Sequence, residues 1–116
     1  FEGTPRQMHE SLTRLMRLPD ATRVYCGHES TLSNIRFALA AEPGNAALGE
    51  LEGRAKRQRE QGLPTLPSTV GQEKATNPFV RVGEPAIIAS AGRYAGKALN
   101  DPVSVLAAIR EWKNSF

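Results

Sequence analysis

A chain of 116 residues with 40% hydrophobic and 23% charged positions has the balance of one globular domain, with room for a modest core. Its net charge of +3 permits an anionic partner without demanding one. A single cysteine rules out an intrachain disulfide and fits a reducing, cytoplasmic setting. No apolar run approaches the ~18 residues of a membrane span, and no leading segment has the order of a signal peptide. The first residue is Phe1, which sets the expectation that the chain begins inside something longer.

Thr4-Pro5-Arg6-Gln7 reads as a helix start, with Thr4 as cap, Pro5 in the first helical position and Gln7 completing a capping box. Met8, Leu12, Leu15 and Met16 follow as one apolar face, and the helix should end near Leu18-Pro19. His9 falls at an exposed position of that helix. Residues 22–26 read as a short, largely buried strand. Thr31 to Ala41 predicts a second helix with Leu32, Ile35 and Leu39 on one side. Pro43-Gly44 stops it, and Asn45 caps a third helix over 46–61 with a thin apolar side of Leu48, Leu51 and Ala55. Residues 63–83 read as loop with a short helix around 68–74. Glu84-Pro85 opens a helix to about Tyr94, and Asp101-Pro102 opens the last one, with Val105, Ile109, Trp112 and Phe116 as its buried stripe. One strand among helices is anomalous, because its backbone donors and acceptors need partners. The expectation is that those partners lie outside this chain.

Four groups of residues invite a functional reading. His28, in Cys26-Gly27-His28-Glu29 at the strand's end, has the chemistry of a metal ligand, but no second ligand sits at a suitable interval. A hydrogen-bonded loop histidine is the alternative. Arg110 and Lys113, three apart on the last helix beside Trp112 and Phe116, could hold a carboxylate or phosphate. They could equally be solvated cations suited to a helix C-terminus. The basic run Arg54, Lys56, Arg57, Arg59 is interleaved with Glu50, Glu52 and Glu60 and lacks aromatics, which favours a solvated face over a nucleic-acid surface. Cys26 has no well-placed base and reads as a structural thiol.

The segments FEGTPRQM, VYCGHESTLSNIRFA, EPGNAAL, LPTLPSTVGQEKATNPF and DPVSVLAAIREWKNSF, in that order, resemble the C-terminal part of glyoxalase II, the hydroxyacylglutathione hydrolases of the metallo-β-lactamase superfamily. The resemblance runs over essentially the whole chain. It implies a mainly α fold, with residues 1–29 as the last helix and strand of a truncated metallo-β-lactamase domain and residues 30–116 as a helical, glutathione-binding domain. It implies a parent thioester hydrolase that converts S-D-lactoylglutathione to glutathione and D-lactate using two divalent metal ions, zinc or otherwise iron or manganese. His28 would be a metal ligand. Its co-ligands, in a T-H-x-H-x-D-H motif and a later His and Asp, would lie in a missing N-terminal metallo-β-lactamase domain, which makes the isolated chain inactive. Arg110 and Lys113 would contact glutathione, as would Phe1. Ser30 stands where the family usually has a glutathione-binding tyrosine; it keeps a hydroxyl and loses reach. The alternative is a non-catalytic helical module that self-associates or binds a partner. Neither nucleic acid nor membrane is an expected partner.

Overall fold

The computed structural model describes residues 3–24, 31–63 and 68–116. Through them run α1 (Pro5–Leu15), β1 (Arg23–Val24), α2 (Thr31–Ala41), α3 (Ala46–Glu60), β2 (Ser68–Thr69), α4 (Val70–Thr76), α5 (Pro85–Ala95) and α6 (Pro102–Ser115). The chain is mainly α, as expected. No helix among the described residues is long and apolar enough to cross a membrane.

Local chemistry starts most of these helices. Thr4 Oγ1 accepts from the Gln7 amide at 3.1 Å while Gln7 Oε1 accepts from the Thr4 amide at 2.9 Å, the reciprocal capping box. Asn45 caps α3, Thr69 caps α4 and Asp101 caps α6, each accepting a backbone N–H of its first turn. Proline occupies the start of α1, α5 and α6, where its missing donor costs nothing. The α1 helix ends at Leu15, earlier than the position of Pro19 suggested. Beyond Met16 the chain tightens, with the Arg17 and Leu18 amides donating to the Arg14 and Leu15 carbonyls in i→i+3 turns.

The core joins three helices. Phe37 and Ala41 of α2, Ile87 and Ala91 of α5, and Val105, Leu106, Ala108 and Ile109 of α6 form one buried cluster with Val82. On the other side of α2, α3 presents its thin apolar side, burying Leu48 and Ala55. The α1 helix lies along α6 with Met8 against the core. None of its predicted apolar residues is fully buried; Met8, Leu12, Leu15 and Met16 are half-buried.

Three expectations need correction. The strand has a partner in this chain: β1 pairs antiparallel with β2, Arg23 opposite Thr69 and Val24 opposite Ser68. The Val70 and Gly71 amides extend the contact by donating to the Thr22 and Asp20 carbonyls, both at 2.9 Å. The partner comes from the stretch read as loop, because a two-residue strand has no apolar alternation to betray it. Nor is β1 largely buried, since Arg23 is exposed and Val24 half-buried; Tyr25 and Cys26 lie outside the described residues. In α6, the buried stripe is Val105, Leu106, Ala108 and Ile109, with Trp112 half-buried. Phe116 is 59% exposed, because it follows the helix end and meets the core through one edge, 5.4 Å from the Phe37 ring.

Candidate functional site

The cationic pair sits on the last turns of α6. Asp101 fixes where the helix begins, its Oδ1 accepting from the Ser104 amide at 2.9 Å and its Oδ2 from the Ser104 hydroxyl at 2.8 Å. These bonds, the backbone one first, hold its carboxyl below the usual carboxylate range. From that start the helical period brings Arg110 and Lys113 to one side, both half-buried. They do not share surroundings. Arg110 Nη1 donates to the Gly3 carbonyl at 3.1 Å. Lys113 borders a groove of about 620 Å³ between α1, α4 and α6.

That groove has an apolar wall and a polar end. Met8, Leu12 and Leu15 of α1 and Met16 just beyond it form the wall with Val24 and Phe79. Asn34, Glu73, Asn77, Lys113 and Asn114 supply the polar atoms. Glu73 is held in place, its Oε2 accepting from the Ser68 hydroxyl at 2.9 Å and its Oε1 from Asn77 Nδ2 at 3.0 Å. A volume of this size, apolar on one side and lined by a few fixed polar groups on the other, is in the range of small-molecule sites. Sequence reasoning missed Glu73 and Asn77 as groove residues. The motif containing them was visible, but nothing local says that α4 faces α1 across a groove.

A second groove, about 380 Å³, lies on the other side of α1 between His9, Arg17, Lys74, Arg81 and Glu84. His9 is half-buried there and not exposed as expected, because the 79–84 segment packs beside α1. Two of its cations are committed to ion pairs, Lys74 to Asp20 and Arg81 to Glu42, each at 2.8 Å.

Among the other predicted residues, the basic run of α3 lies on an exposed face. Arg54 donates to Gln72 Oε1 at 3.1 Å and Lys56 lies 3.8 Å from Glu52. His28, Ser30, Phe1 and Cys26 all fall outside the described residues. The described residues contain no group of three or more His, Cys, Asp or Glu able to hold a metal ion. They therefore do not by themselves fit the two-metal centre that the resemblance implies.

A family model described as "Hydroxyacylglutathione hydrolase C-terminus" matches residues 29–116, a span that includes all of α2 to α6. The chain belongs to the hydroxyacylglutathione hydrolase family. Its relatives named hydroxyacylglutathione hydrolase include that of Nitrosomonas europaea, 61% identical over all 116 residues. Those of Nitrosomonas eutropha and Pseudomonas aeruginosa are 55% and 53% identical over the same length. The chain spans 44% to 46% of the length of these three relatives. Its match is thus to the C-terminal part of a hydroxyacylglutathione hydrolase, as the motifs implied.

Proposed function

We propose that this chain supplies the helical, glutathione-binding part of a metal-dependent thioester hydrolase acting on S-D-lactoylglutathione. The reading is carried by one observation: the family match runs through α6, the helix that bears Arg110 and Lys113. Glutathione has two carboxylates, and a cation at the rim of a partly apolar groove binds a carboxylate more strongly than one in open water. In this reading Lys113 holds one carboxylate by a charge-assisted hydrogen bond. The groove wall excludes water from one side, and the amide side chains at the polar end offer donors and acceptors to the peptide units. Ser30 and Phe1 belong to the same proposal as further glutathione contacts.

The metal ions, zinc or otherwise iron or manganese, enter only through His28, which offers one imidazole. The other ligands would come from residues that this sequence does not contain, in an N-terminal metallo-β-lactamase domain of the longer relatives. The 116-residue chain should therefore bind glutathione without hydrolysing its thioesters.

A titration of the chain with glutathione, followed by amide chemical shifts, tests the first half. Shifts should concentrate on the last turns of α6, and Lys113→Ala should weaken binding about tenfold, the scale of a lost charge-assisted bond. Unchanged affinity in that variant would remove Lys113 from the site. Assaying S-D-lactoylglutathione with added zinc tests the second half. Turnover abolished by His28→Ala would mean that the chain assembles a metal site unaided, against the proposal.

A further inference from the structure

The groove between α1 and the 79–84 segment carries charges that the thioester reading leaves unused. Its floor is apolar, made by the half-buried Leu12, Met16, Phe79 and Val80. Above that floor the charged groups divide into committed and uncommitted. Lys74 is paired with Asp20. Arg81 spends Nε and Nη2 on Glu42 and Nη1 on the Lys74 carbonyl. Arg17 and Glu84 line the same groove, and among the described residues neither makes an ion pair. Glu84 stands at the N-cap of α5, yet its side chain makes no cap bond there. His9 is half-buried beside them. The Thr13 hydroxyl donates to the His9 carbonyl at 2.7 Å, which leaves its own lone pairs as acceptors. Gly83 keeps the rim open, since a Cβ there would meet nothing within 4 Å.

These features select the occupant. A polyanion would meet Glu84, and Glu10 on the adjoining side of His9. A wholly apolar ligand would strip water from Arg17 and Glu84 without replacing it. A molecule with one anionic end, one cationic end and an apolar body satisfies both charges and the floor together. The groove's volume of about 380 Å³ lies at the small end of ligand sites, which suits a short peptide and not a folded partner.

We propose that this groove binds a short zwitterionic peptide with apolar side chains. Its carboxylate meets the Arg17 guanidinium and its ammonium meets Glu84. Its side chains lie on Leu12, Met16, Phe79 and Val80, and its peptide units face His9 and Thr13. Glutathione is a poor match, having a second carboxylate and no large apolar side chain. The site is therefore distinct from the one proposed for the thioester, and it stands or falls independently of that reading.

The test titrates the 116-residue chain with three probes, leucyl-leucine, its C-terminal amide and its N-acetyl form, and follows amide chemical shifts. Saturable shifts should gather at Thr13, Val80 and Gly83. Each blocked probe should bind about fivefold more weakly than the free dipeptide, the scale of one exposed ion pair. Arg17→Gln should weaken leucyl-leucine about fivefold and leave the affinity for its amide unchanged. Glu84→Gln should weaken leucyl-leucine by a similar factor and leave the affinity for the N-acetyl form unchanged. Both side chains lack structural bonds among the described residues, so neither change should disturb the fold. Gly83→Leu, which narrows the rim without touching a charge, should weaken all three probes.

Equal affinity for the free and blocked probes would mean that the charged ends are not recognised, and would overturn the proposal. So would a loss in Arg17→Gln or Glu84→Gln that is the same for all three probes, because a residue acting only on the fold cannot distinguish a carboxylate from an amide. Absence of saturable shifts in the wild-type chain would remove the site altogether, whatever the outcome of the glutathione titration.

Discussion

At the scale of single residues, the best-defined polar interaction is the ion pair of Glu42 and Arg81. Arg81 Nε and Nη2 reach the two carboxylate oxygens of Glu42 at 2.8 Å each, a two-pronged contact, and Glu42 is only 8% exposed. Arg81 Nη1 also donates to the Lys74 carbonyl at 2.9 Å, so one side chain joins the end of α2 to α4. The guanidinium holds the Glu42 carboxyl below its ordinary value, with burial opposing, and Glu42 raises Arg81 in return. Because the folded carboxyl is the stronger acid, its stabilisation is complete above the ordinary carboxylate range and is lost as pH falls through the folded value. Arg81→Met should cost about 2 kcal/mol at neutral pH, below the range for fully buried pairs. It should also flatten the acid side of the stability curve, which urea midpoints measured from neutral to acid pH would reveal. Retention of the wild-type acid slope would assign that slope to other carboxylates.

Two glycines in helices make an opposed pair. A Cβ on Gly71 would lie 3.1 Å from Asp20 Cβ and 3.3 Å from the Asp20 carbonyl oxygen. The Gly71 amide already donates to that carbonyl, so the backbone cannot retreat without losing the bond. Gly71→Ala should destabilise by about 1–2 kcal/mol through overpacking. Gly49 in α3 has open space where its Cβ would be. Gly49→Ala should stabilise by about 0.5–1 kcal/mol through helix propensity. Thermal midpoints of the two variants should move in opposite directions.

At the scale of elements, the start of α3 shows a cap that is also a tertiary tie. Asn45 Oδ1 accepts from the Ala47 and Leu48 amides at 3.0 and 3.4 Å. Its Nδ2 donates to the Ala75 carbonyl at 2.7 Å and to Glu42 Oε1 at 3.2 Å. Asn45→Ala should cost about 1–2 kcal/mol, the usual loss of a cap. Asn45→Asp keeps a good cap but has no donor and sets a carboxylate beside Glu42. It should therefore also destabilise, against the expectation for an isolated helix, where the two residues cap equally. Denaturation of both variants in urea distinguishes the tie from the cap.

The helix starts were legible for this same local reason. Thr4-Pro5, Asn45 and Asp101-Pro102 mark the first turns of α1, α3 and α6, and the structure places those turns there. The end of α1 and the existence of β2 were not legible. The chain leaves α1 by tightening gradually through i→i+3 bonds, and Ser68-Thr69 becomes a strand only because β1 is brought beside it.

At the scale of the whole molecule, Phe37 is the meeting point. It is 1% exposed, with Phe79 stacked at 6.2 Å and Trp112 and Phe116 edge-on at 5.2 and 5.4 Å. Tyr94 stacks on the outer face of the Trp112 contact at 5.6 Å. Rings from α2, α5, α6 and the 77–84 segment are thus locked to one another, in geometries that favour aromatic pairs. Phe37→Ala should cost about 3–5 kcal/mol. The single tryptophan makes this directly visible, since Trp112 emission should shift toward the solvent-exposed value in the folded variant. Unaltered emission would mean that the remaining rings close over the cavity.

Sequence by itself determined the helical class, the main helix starts and the family, because caps, prolines and ordered motifs are local properties of the chain. It also brought Arg110 and Lys113 to one side of a helix, because their spacing matches the helical period. Tertiary structure alone decided that β1 has a partner in β2, that Phe116 stays at the surface and that His9 is half-buried. It alone separated the two cations, sending Arg110 to the Gly3 carbonyl and Lys113 to the groove. Those outcomes depend on which surfaces meet across long stretches of chain, and burial is proportional to area brought together, not to any residue's own preference.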